Sequence, residues 1–136
     1  MIRALVCGCA SSALSADERA FLKEARPWGL ILFKRNVVDR AQLRALTDEF
    51  RALAGRADAP VLIDQEGGRV QRMAAPQWRE YPAAARFAAT RAPERAAWLS
   101  ARLIAVDLHE VGINIDCAPV LDVADPEMHA VIGARA

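Results

Sequence analysis

The chain of 136 residues is long enough for one domain with its own hydrophobic core. Its hydrophobic fraction of 54% and charged fraction of 26% are typical of a soluble globular protein. A net charge of +1, with the basic residues scattered among acids, argues against a nucleic-acid partner. No apolar run approaches the ~20 residues that span a bilayer. The short apolar N-terminus favours a buried first strand over a signal peptide, so we expect a cytoplasmic protein without a membrane partner.

The three cysteines do not form a disulfide or metal-binding framework. Cys7 and Cys9 make a C-x-C pair without a second pair of ligands, which favours small buried side chains. The sequence contains no P-loop, zinc motif or G-x-S-x-G elbow, and residues 8–13 give only a degenerate glycine fingerprint. We therefore expect neither a metal nor a cofactor.

The first half of the chain alternates strands and helices. Residues 3–8 predict a short buried strand. Ser15 and Glu18 then form the capping box of a helix that Pro27 stops. Residues 28–33 are continuously apolar, as expected of a parallel strand that is covered on both faces.

A second helix begins after Asp39, with Gln42 at the capping-box position, and ends at Gly55. Its apolar stripe has steps of three, four and three residues: Leu43, Leu46, Phe50 and Leu53. Residues 60–64 predict a third strand. The connection over 65–92 is long for a compact domain and follows the carboxyl end of that strand, so it is placed to wall a site.

The last predicted elements are a helix from Pro93 to Gly112 and a fourth strand over 113–120. Alternation along this strand places Asn114 and Asp116 on one face. Right-handed crossovers between such strands give a parallel sheet. Two architectures fit: a small doubly wound sheet, and the first half of a (β/α)₈ barrel, whose interior suits the polar face slightly better. Four barrel strands leave two open edges, so the chain looks incomplete at its C-terminal residue, Ala136.

The stretch over 62–72, Leu-Ile-Asp-Gln-Glu-Gly-Gly-Arg-Val-Gln-Arg, concentrates charge at the end of the third strand. Functional groups of α/β proteins lie at the carboxyl ends of their strands, which favours a site over a surface ion-pair cluster. Asp64 and Glu66 would share one face about 6–7 Å apart, near the spacing of glycosidase acids. Glu66 could equally pair with Arg69 or Arg72 and hold the turn that the two glycines allow.

Other candidate groups lie elsewhere in the chain. Asp122 either lies beside the same site or caps the following loop. His109, late in a helix, is expected to be structural, and the role of His129 in the last loop stays open. Trp78 in the long connection is the aromatic ring open to stack on a sugar, whereas Trp98 is expected in the core.

Four motifs occur in order along the chain, over residues 29–36 (GLILFKRN), 64–72 (DQEGGRVQR), 118–123 (APVLDV) and 131–135 (VIGAR). Together they resemble the bacterial β-N-acetylhexosaminidases of glycoside hydrolase family 3, the single-domain enzymes of cell-wall recycling. The similarity covers essentially the whole chain. It implies a (β/α)₈ TIM barrel, of which residues 1–136 form the N-terminal half with about four β/α units.

The resemblance also implies roles for particular residues. Asp64, Arg72 and Arg135 correspond to residues that bind a terminal N-acetylglucosamine. Asp64 would accept hydrogen bonds from sugar hydroxyls, and the arginines would orient the sugar and the surrounding acids. The implied substrate is a small carbohydrate, N-acetylglucosamine β-linked to anhydromuramyl peptides.

The resemblance implies hydrolysis with retention of configuration through a covalent glycosyl-enzyme. An aspartate would be the nucleophile, and a histidine held by a second aspartate would be the acid/base. In the family these groups, and a Lys-His sugar-binding pair, lie after the fourth strand, which here means beyond Ala136. We therefore assign no catalytic residue within this sequence, and expect the 136-residue chain by itself to be inactive.

Three functions compete on this basis. The first is a segment of a glycoside hydrolase that holds half of the substrate site. The second is a non-catalytic half-barrel that binds sugar or assembles with itself or another half. The third is a complete small α/β nucleotide-binding protein, for which binding of NADP(H) would be the sign.

Overall fold

A computed structural model describes residues 1–123, 125, 127 and 129–136. Its regular elements follow the predicted alternation of strands and helices. They are β1 (Arg3–Cys7), α1 (Ala16–Ala25), β2 (Pro27–Leu32), α2 (Arg40–Ala54), β3 (Val61–Ile63), β4 (Gln65–Gly67), β5 (Val70–Gln71), α3 (Pro93–Glu110) and β6 (Ile115–Asp116). Short 3₁₀ helices cover Lys34–Asn36, Ala84–Ala89 and Gly133–Arg135.

The main sheet is parallel, and its strands follow one another in the order β1-β2-β3-β6. Leu30 of β2 lies beside Val61 of β3, and Ile63 of β3 lies beside Asp116 of β6. A doubly wound sheet reverses its strand order at a switch point, whereas barrel strands are neighbours in sequence order. The chain therefore has an α/β fold with a parallel sheet and helices, consistent with half of a (β/α)₈ barrel.

One apolar cluster joins the sheet to the helices. The fully buried side chains of the central strands are Leu30, Leu32, Val61 and Ile63. The predicted stripe of α2 packs into the same cluster through Leu43, Leu46, Phe50 and Leu53. Each buried side chain of this kind contributes roughly 1.5–3 kcal/mol relative to an exposed one, so the sheet and α2 stabilise each other.

The start of α1 is the predicted capping box. The side chain of Ser15 accepts from the N–H of Glu18, and the carboxylate of Glu18 accepts from the N–H of Ser15 at 2.7 Å. The helix ends before Pro27, as predicted. The helix ends at Ala25, Arg26 adopts a left-handed conformation with φ 46°, and Pro27 begins β2.

The start of α2 is capped by Asp39, whose carboxylate accepts from the N–H of Gln42 at 2.8 Å. Gln42 makes a different bond from the one a capping box requires. Its amide oxygen accepts from the N–H of Val38, and its amide nitrogen donates to the carbonyl of Ser12. Gly55 ends the helix with φ 67°, as predicted.

The fourth strand of the sheet is shorter than the predicted 113–120, because only Ile115–Asp116 is assigned as β6. Two side chains replace backbone acceptors around it. Asn114 Oδ1 accepts from the N–H of Val61 at 2.8 Å, and Asp116 Oδ1 accepts from the N–H of Gln65 at 2.9 Å. Polar side chains in and just before β6 thus bind the first residue of β3 and the chain just after its end.

The long connection over 65–92 is structured and bound to α3. Its first part forms the antiparallel pair β4–β5. Farther on, Arg79 and the hydroxyl of Tyr81 donate to Asp107 of α3, a side chain only 4% exposed. These bonds position the connection against the helix.

Both tryptophan predictions are wrong. Trp78 is 5% exposed, and the Arg40 guanidinium carbon lies 5.4 Å from its ring centroid. Trp98 is 55% exposed, and Arg95 lies over its ring. Since the connection is bound to α3, Trp78 is covered. Trp98 lies about 100° around the helix from the half-buried Ala97 and is exposed.

Candidate functional site

The stretch over 62–72 forms the end of β3 and a tight hairpin. Gly67 and Gly68 make its turn with φ angles of 93° and 58°, a region that favours glycine. A Cβ atom on Gly67 would lie 2.4 Å from the carbonyl oxygen of Pro82, so the close approach also requires glycine. The hairpin reverses the chain and returns Arg72 to Asp64.

Asp64 and Arg72 form an ion pair at the carboxyl end of the sheet. Arg72 Nη2 donates to Asp64 Oδ2 at 2.6 Å. The side chain of Arg72 is 26% exposed and that of Asp64 is 25% exposed, so both are accessible to a ligand although they are partly buried. The geometry brings these two predicted site residues together.

Arg135, the third predicted site residue, is held by Glu66. Its Nε and Nη2 donate to the two carboxylate oxygens at 2.8 Å and 2.6 Å. The side chain of Glu66 is 10% exposed and that of Arg135 is 24% exposed. The sequence suggested Arg69 or Arg72 as the partner of Glu66, and the partner is Arg135. The structure thus gathers all three predicted residues around the hairpin, and their binding of sugar stays a prediction.

The last residue, Ala136, supplies no reactive group to the site. It follows the 3₁₀ helix over Gly133–Arg135, is half-buried, and donates its N–H to the carbonyl of Gly133 at 3.3 Å. Its neighbour Arg135 carries the side chain that enters the site. The resemblance implies a nucleophile and an acid/base beyond Ala136, and that position stays a prediction.

Asp116 is a further carboxylate at this end of the sheet. Burial raises the pKa of Asp116 to about 6, and the nearby charges of Asp64 and Glu66 raise the same pKa, against the hydrogen bond from the N–H of Gln65. The sequence placed Asp116 on a polar face but did not assign it to the site. The signal was the alternation along the predicted fourth strand, which put Asn114 and Asp116 on one face.

Gln65 is the residue that the sequence did not reveal. It lies between the two acids and is only 1% exposed. Glutamine beside charged residues at a strand end is usually exposed, so nothing in the pattern indicated its burial. Its side chain binds the backbone of the returning strand.

A cavity of about 700 Å³ adjoins the hairpin on the side of β6 and α3. Its polar lining includes Glu66, Asp116 and Arg135. Much of the remaining lining is apolar and includes Phe87, Ala101, Ile104 and Leu108. The Glu66–Arg135 pair therefore lies between the hairpin and an apolar space.

Of the other candidate groups, Asp122 and His109 lie near the site, and His129 is engaged in its own turn. Asp122 is exposed. His109 is exposed near the end of α3 and is one of the residues that line this cavity. Its carbonyl accepts from the N–H of Gly112. His129 Nδ1 accepts from the N–H of Val131 at 3.1 Å within its own turn.

The cysteine pair is consistent with a structural role. Cys9 is 3% exposed, and its sulfur accepts from the side chain of Asn36. Burial raises the pKa of Cys9 to about 11. Over the residues that the structure describes, no group of three or more His, Cys, Asp or Glu side chains is placed to hold a metal ion.

Comparison with known protein families identifies the chain's relatives. The family model described as "Glycosyl hydrolase family 3 N terminal domain" matches residues 2–136. The chain belongs to glycosyl hydrolase family 3. The resemblance predicted from the four motifs is therefore confirmed.

Curated members of family 3 are similar along most of the chain. A "Beta-hexosaminidase" from Methylococcus capsulatus is 44% identical over 128 residues, which are 90% of this chain and 36% of that protein. A "Beta-hexosaminidase" from Pseudomonas aeruginosa is 39% identical over 123 residues, again 90% of this chain and 36% of that protein. The chain thus spans little more than a third of these relatives.

A solved structure of the family has the same fold. NagZ from Neisseria gonorrhoeae, in complex with N-trifluoroacetyl-D-glucosamine, matches with a TM-score of 0.86 and 34% identity. The match covers 96% of this chain and 39% of that chain.

In the described part of our chain, no helix is both long and apolar enough to cross a membrane.

Proposed function

We propose that this chain provides the sugar-binding part of a retaining β-N-acetylhexosaminidase that removes terminal β-linked N-acetylglucosamine from peptidoglycan fragments. The observation that carries the proposal is the Asp64–Arg72 pair, delivered by a hairpin at the carboxyl end of a family 3 sheet. The names of the curated relatives support the activity. The glucosamine derivative in the Neisseria NagZ complex supports the type of sugar.

The two ion pairs suit recognition of a polyhydroxylated ring. A carboxylate accepts hydrogen bonds only, so Asp64 would bind hydroxyl groups of the sugar. A guanidinium has five N–H donors in a fixed plane, and Glu66 engages Nε and Nη2 of Arg135. This leaves the Nη1 end of Arg135 to turn toward the substrate or a neighbouring acid.

Each carboxylate of the site accepts hydrogen bonds from other groups of the protein. Asp64 and Glu66 each bind an arginine, and Asp116 binds the N–H of Gln65. Because the family resemblance implies a nucleophile and an acid/base after the fourth strand, we assign neither role to these carboxylates and expect both groups beyond Ala136 in the full-length enzyme. A cytoplasmic location, and the lack of nucleic-acid and membrane partners, stay predictions from the sequence.

Binding of the sugar tests the proposal directly. We expect the 136-residue chain to bind N-acetylglucosamine more tightly than glucose in an NMR titration, and Asp64→Asn to weaken the affinity at least about tenfold, or ~1.4 kcal/mol. Asp48→Asn is the matched control, because Asp48 also accepts from an arginine, Arg44, but on the exposed face of α2. Equal affinity for the two sugars, or equal effects of the two variants, would contradict the proposal.

Further assays separate the competing functions and define the substrate. We expect the chain to release no 4-nitrophenol from 4-nitrophenyl N-acetyl-β-glucosaminide, and release would show that the catalytic groups lie within it rather than beyond Ala136. N-acetylglucosaminyl-anhydromuramyl peptides should displace N-acetylglucosamine more effectively than chitobiose does. If light scattering shows that the chain is a dimer and the dimer binds sugar, the non-catalytic half-barrel is favoured. Binding of NADP(H) without binding of sugar favours the nucleotide-binding protein.

A further inference from the structure

We propose that Gln65 positions Arg72 in the sugar site, an inference that rests on the proposed function of that site. Gln65 is a positioning residue, because its side chain binds the backbone of Arg72 while the guanidinium of Arg72 binds Asp64.

The side chain of Gln65 holds the chain just after β5 through three hydrogen bonds, of which the one to Arg72 is partly buried and the two to Met73 are buried. Its Oε1 accepts from the N–H of Arg72 at 2.9 Å and from the N–H of Met73 at 3.0 Å. Its Nε2 donates to the carbonyl of Met73 at 2.8 Å. Gln65 is 1% exposed and Met73 is 0% exposed, so water cannot readily replace these bonds.

The backbone ladder of the hairpin stops one residue before Arg72. The pairing of β4 with β5 aligns Gln65 with Gln71 and Gly67 with Val70. Beyond the end of this ladder, the side-chain oxygen of Gln65 accepts from the N–H of Arg72 and so fixes the main chain of Arg72.

Gln65 is itself fixed to the sheet. Its backbone N–H donates to Asp116 Oδ1 at 2.9 Å, so β6 anchors the residue that holds Arg72. Gln71, the other glutamine of the hairpin, holds different groups: its amide binds the N–H of Tyr81 and the carbonyls of Met73 and Arg79. Gln65 is thus the glutamine whose side chain binds Arg72.

Side-chain position matters because binding sites depend on geometry within about 0.5 Å. The Arg72–Asp64 bond of 2.6 Å requires the main chain of Arg72 to stay at a fixed distance from the end of β3. Without Gln65 the guanidinium keeps its charge but loses its defined place opposite Asp64.

The test compares two glutamines in the 136-residue chain. Gln65→Met keeps the length of the side chain and removes its hydrogen bonds. Gln42→Met is the matched control, because Gln42 also accepts from one backbone N–H, at 2.9 Å, and donates to backbone carbonyls, but in the loops after β1 and β2. The readouts are affinity for N-acetylglucosamine and solvent exchange of the Arg72 guanidinium protons, both by NMR.

We expect Gln65→Met to weaken the affinity at least tenfold and to accelerate exchange at Arg72 at least tenfold, whereas Gln42→Met changes neither. Gln65→Glu is the second variant, because it keeps oxygen acceptors for both N–H groups, and we expect it to retain more protection at Arg72 than Gln65→Met. Wild-type exchange and affinity in Gln65→Met would overturn the proposal, as would equal losses in Gln42→Met. If the unmodified chain binds no sugar, the proposed function fails, and the exchange rates at Arg72 still decide the role of Gln65.

Discussion

Three consecutive side chains at the end of β3 bind three different parts of the site. Asp64 binds the guanidinium of Arg72, Gln65 binds the main chain of Arg72, and Glu66 binds Arg135. Asp116 supports the middle of this triplet from the next strand. At the scale of single residues, the site therefore consists of side chains that fix one another before any ligand arrives.

The raised pKa of Asp116 predicts a pH dependence of stability. Its pKa is about 6 in the folded chain against an ordinary 3.8, so the folded state binds this proton more tightly than the unfolded state. The free energy of unfolding should therefore fall as the pH rises from about 4 to about 6. We expect Asp116→Asn, whose amide oxygen can still accept from Gln65, to lack this fall and to gain about 1–2 kcal/mol relative to wild type between these pH values. Urea unfolding at several pH values measures it, and a wild-type profile in the variant would contradict it.

The sequence revealed the site residues unevenly, for physical reasons. Asp64 and Arg72 are close in sequence, and the two glycines between them indicate a turn that returns one to the other. Glu66 and Arg135 are 69 residues apart, so no local pattern reports their pairing. Gln65 was missed because a buried polar side chain is recognised only by its partners, which here are backbone groups.

At the scale of elements, the hairpin β4–β5 is the part on which the site depends. Its turn is so close to the following connection that the N–H of Gly68 donates to the carbonyl of Tyr81 at 2.8 Å. The hairpin therefore packs against the connection that Arg79 and Tyr81 bind to α3.

Gly67→Ala should open this arrangement. The φ of 93° is unfavourable for alanine, and the added Cβ would meet the Pro82 carbonyl oxygen at 2.4 Å. We expect a loss of at least about 2 kcal/mol in the free energy of unfolding, measured with urea. Gly8→Ala is the control, since the nearest atom to its Cβ lies at 3.6 Å, and we expect a change within about 0.5 kcal/mol. Similar losses in both variants would exclude the proposed steric cause.

Helices and the central strands were predictable because their signals are local. As the sequence indicated, the N-caps of α1 and α2 are Ser15 and Asp39, and α2 ends at Gly55 in a left-handed conformation. The pairing of β4 with β5 and the early end of the predicted fourth strand were not predicted, because both depend on contacts with other parts of the fold. Side chains of Asn114 and Asp116 satisfy N–H groups that a longer strand would otherwise have met.

At the scale of the whole molecule, the sequential strand order places the ends of β3 and β6 side by side. The Glu66–Arg135 pair then ties the 3₁₀ helix over Gly133–Arg135 to the hairpin. Two distant parts of the chain are thus joined at the same edge of the sheet.

A double-mutant cycle measures this connection. We expect Glu66→Gln and Arg135→Met to show a larger coupling free energy than Asp48→Asn and Arg44→Met, because the first pair is bidentate and less exposed. The coupling of the first pair should also survive about 0.5 M salt better, since partly buried charges are screened less. Urea unfolding of both cycles at two salt concentrations is the measurement, and equal couplings would contradict the expectation.

The side-chain acceptors at the two ends of β3 also restrict changes in chain length. If β6 shifted by one residue along β3, isoleucine or cysteine would face the N–H groups of Val61 and Gln65. Each N–H would then lose its acceptor, at a cost of roughly 1–3 kcal/mol per group. During evolution, substitutions at the apolar position Ile115 should therefore be accepted far more readily than insertions or deletions between Asn114 and Asp116.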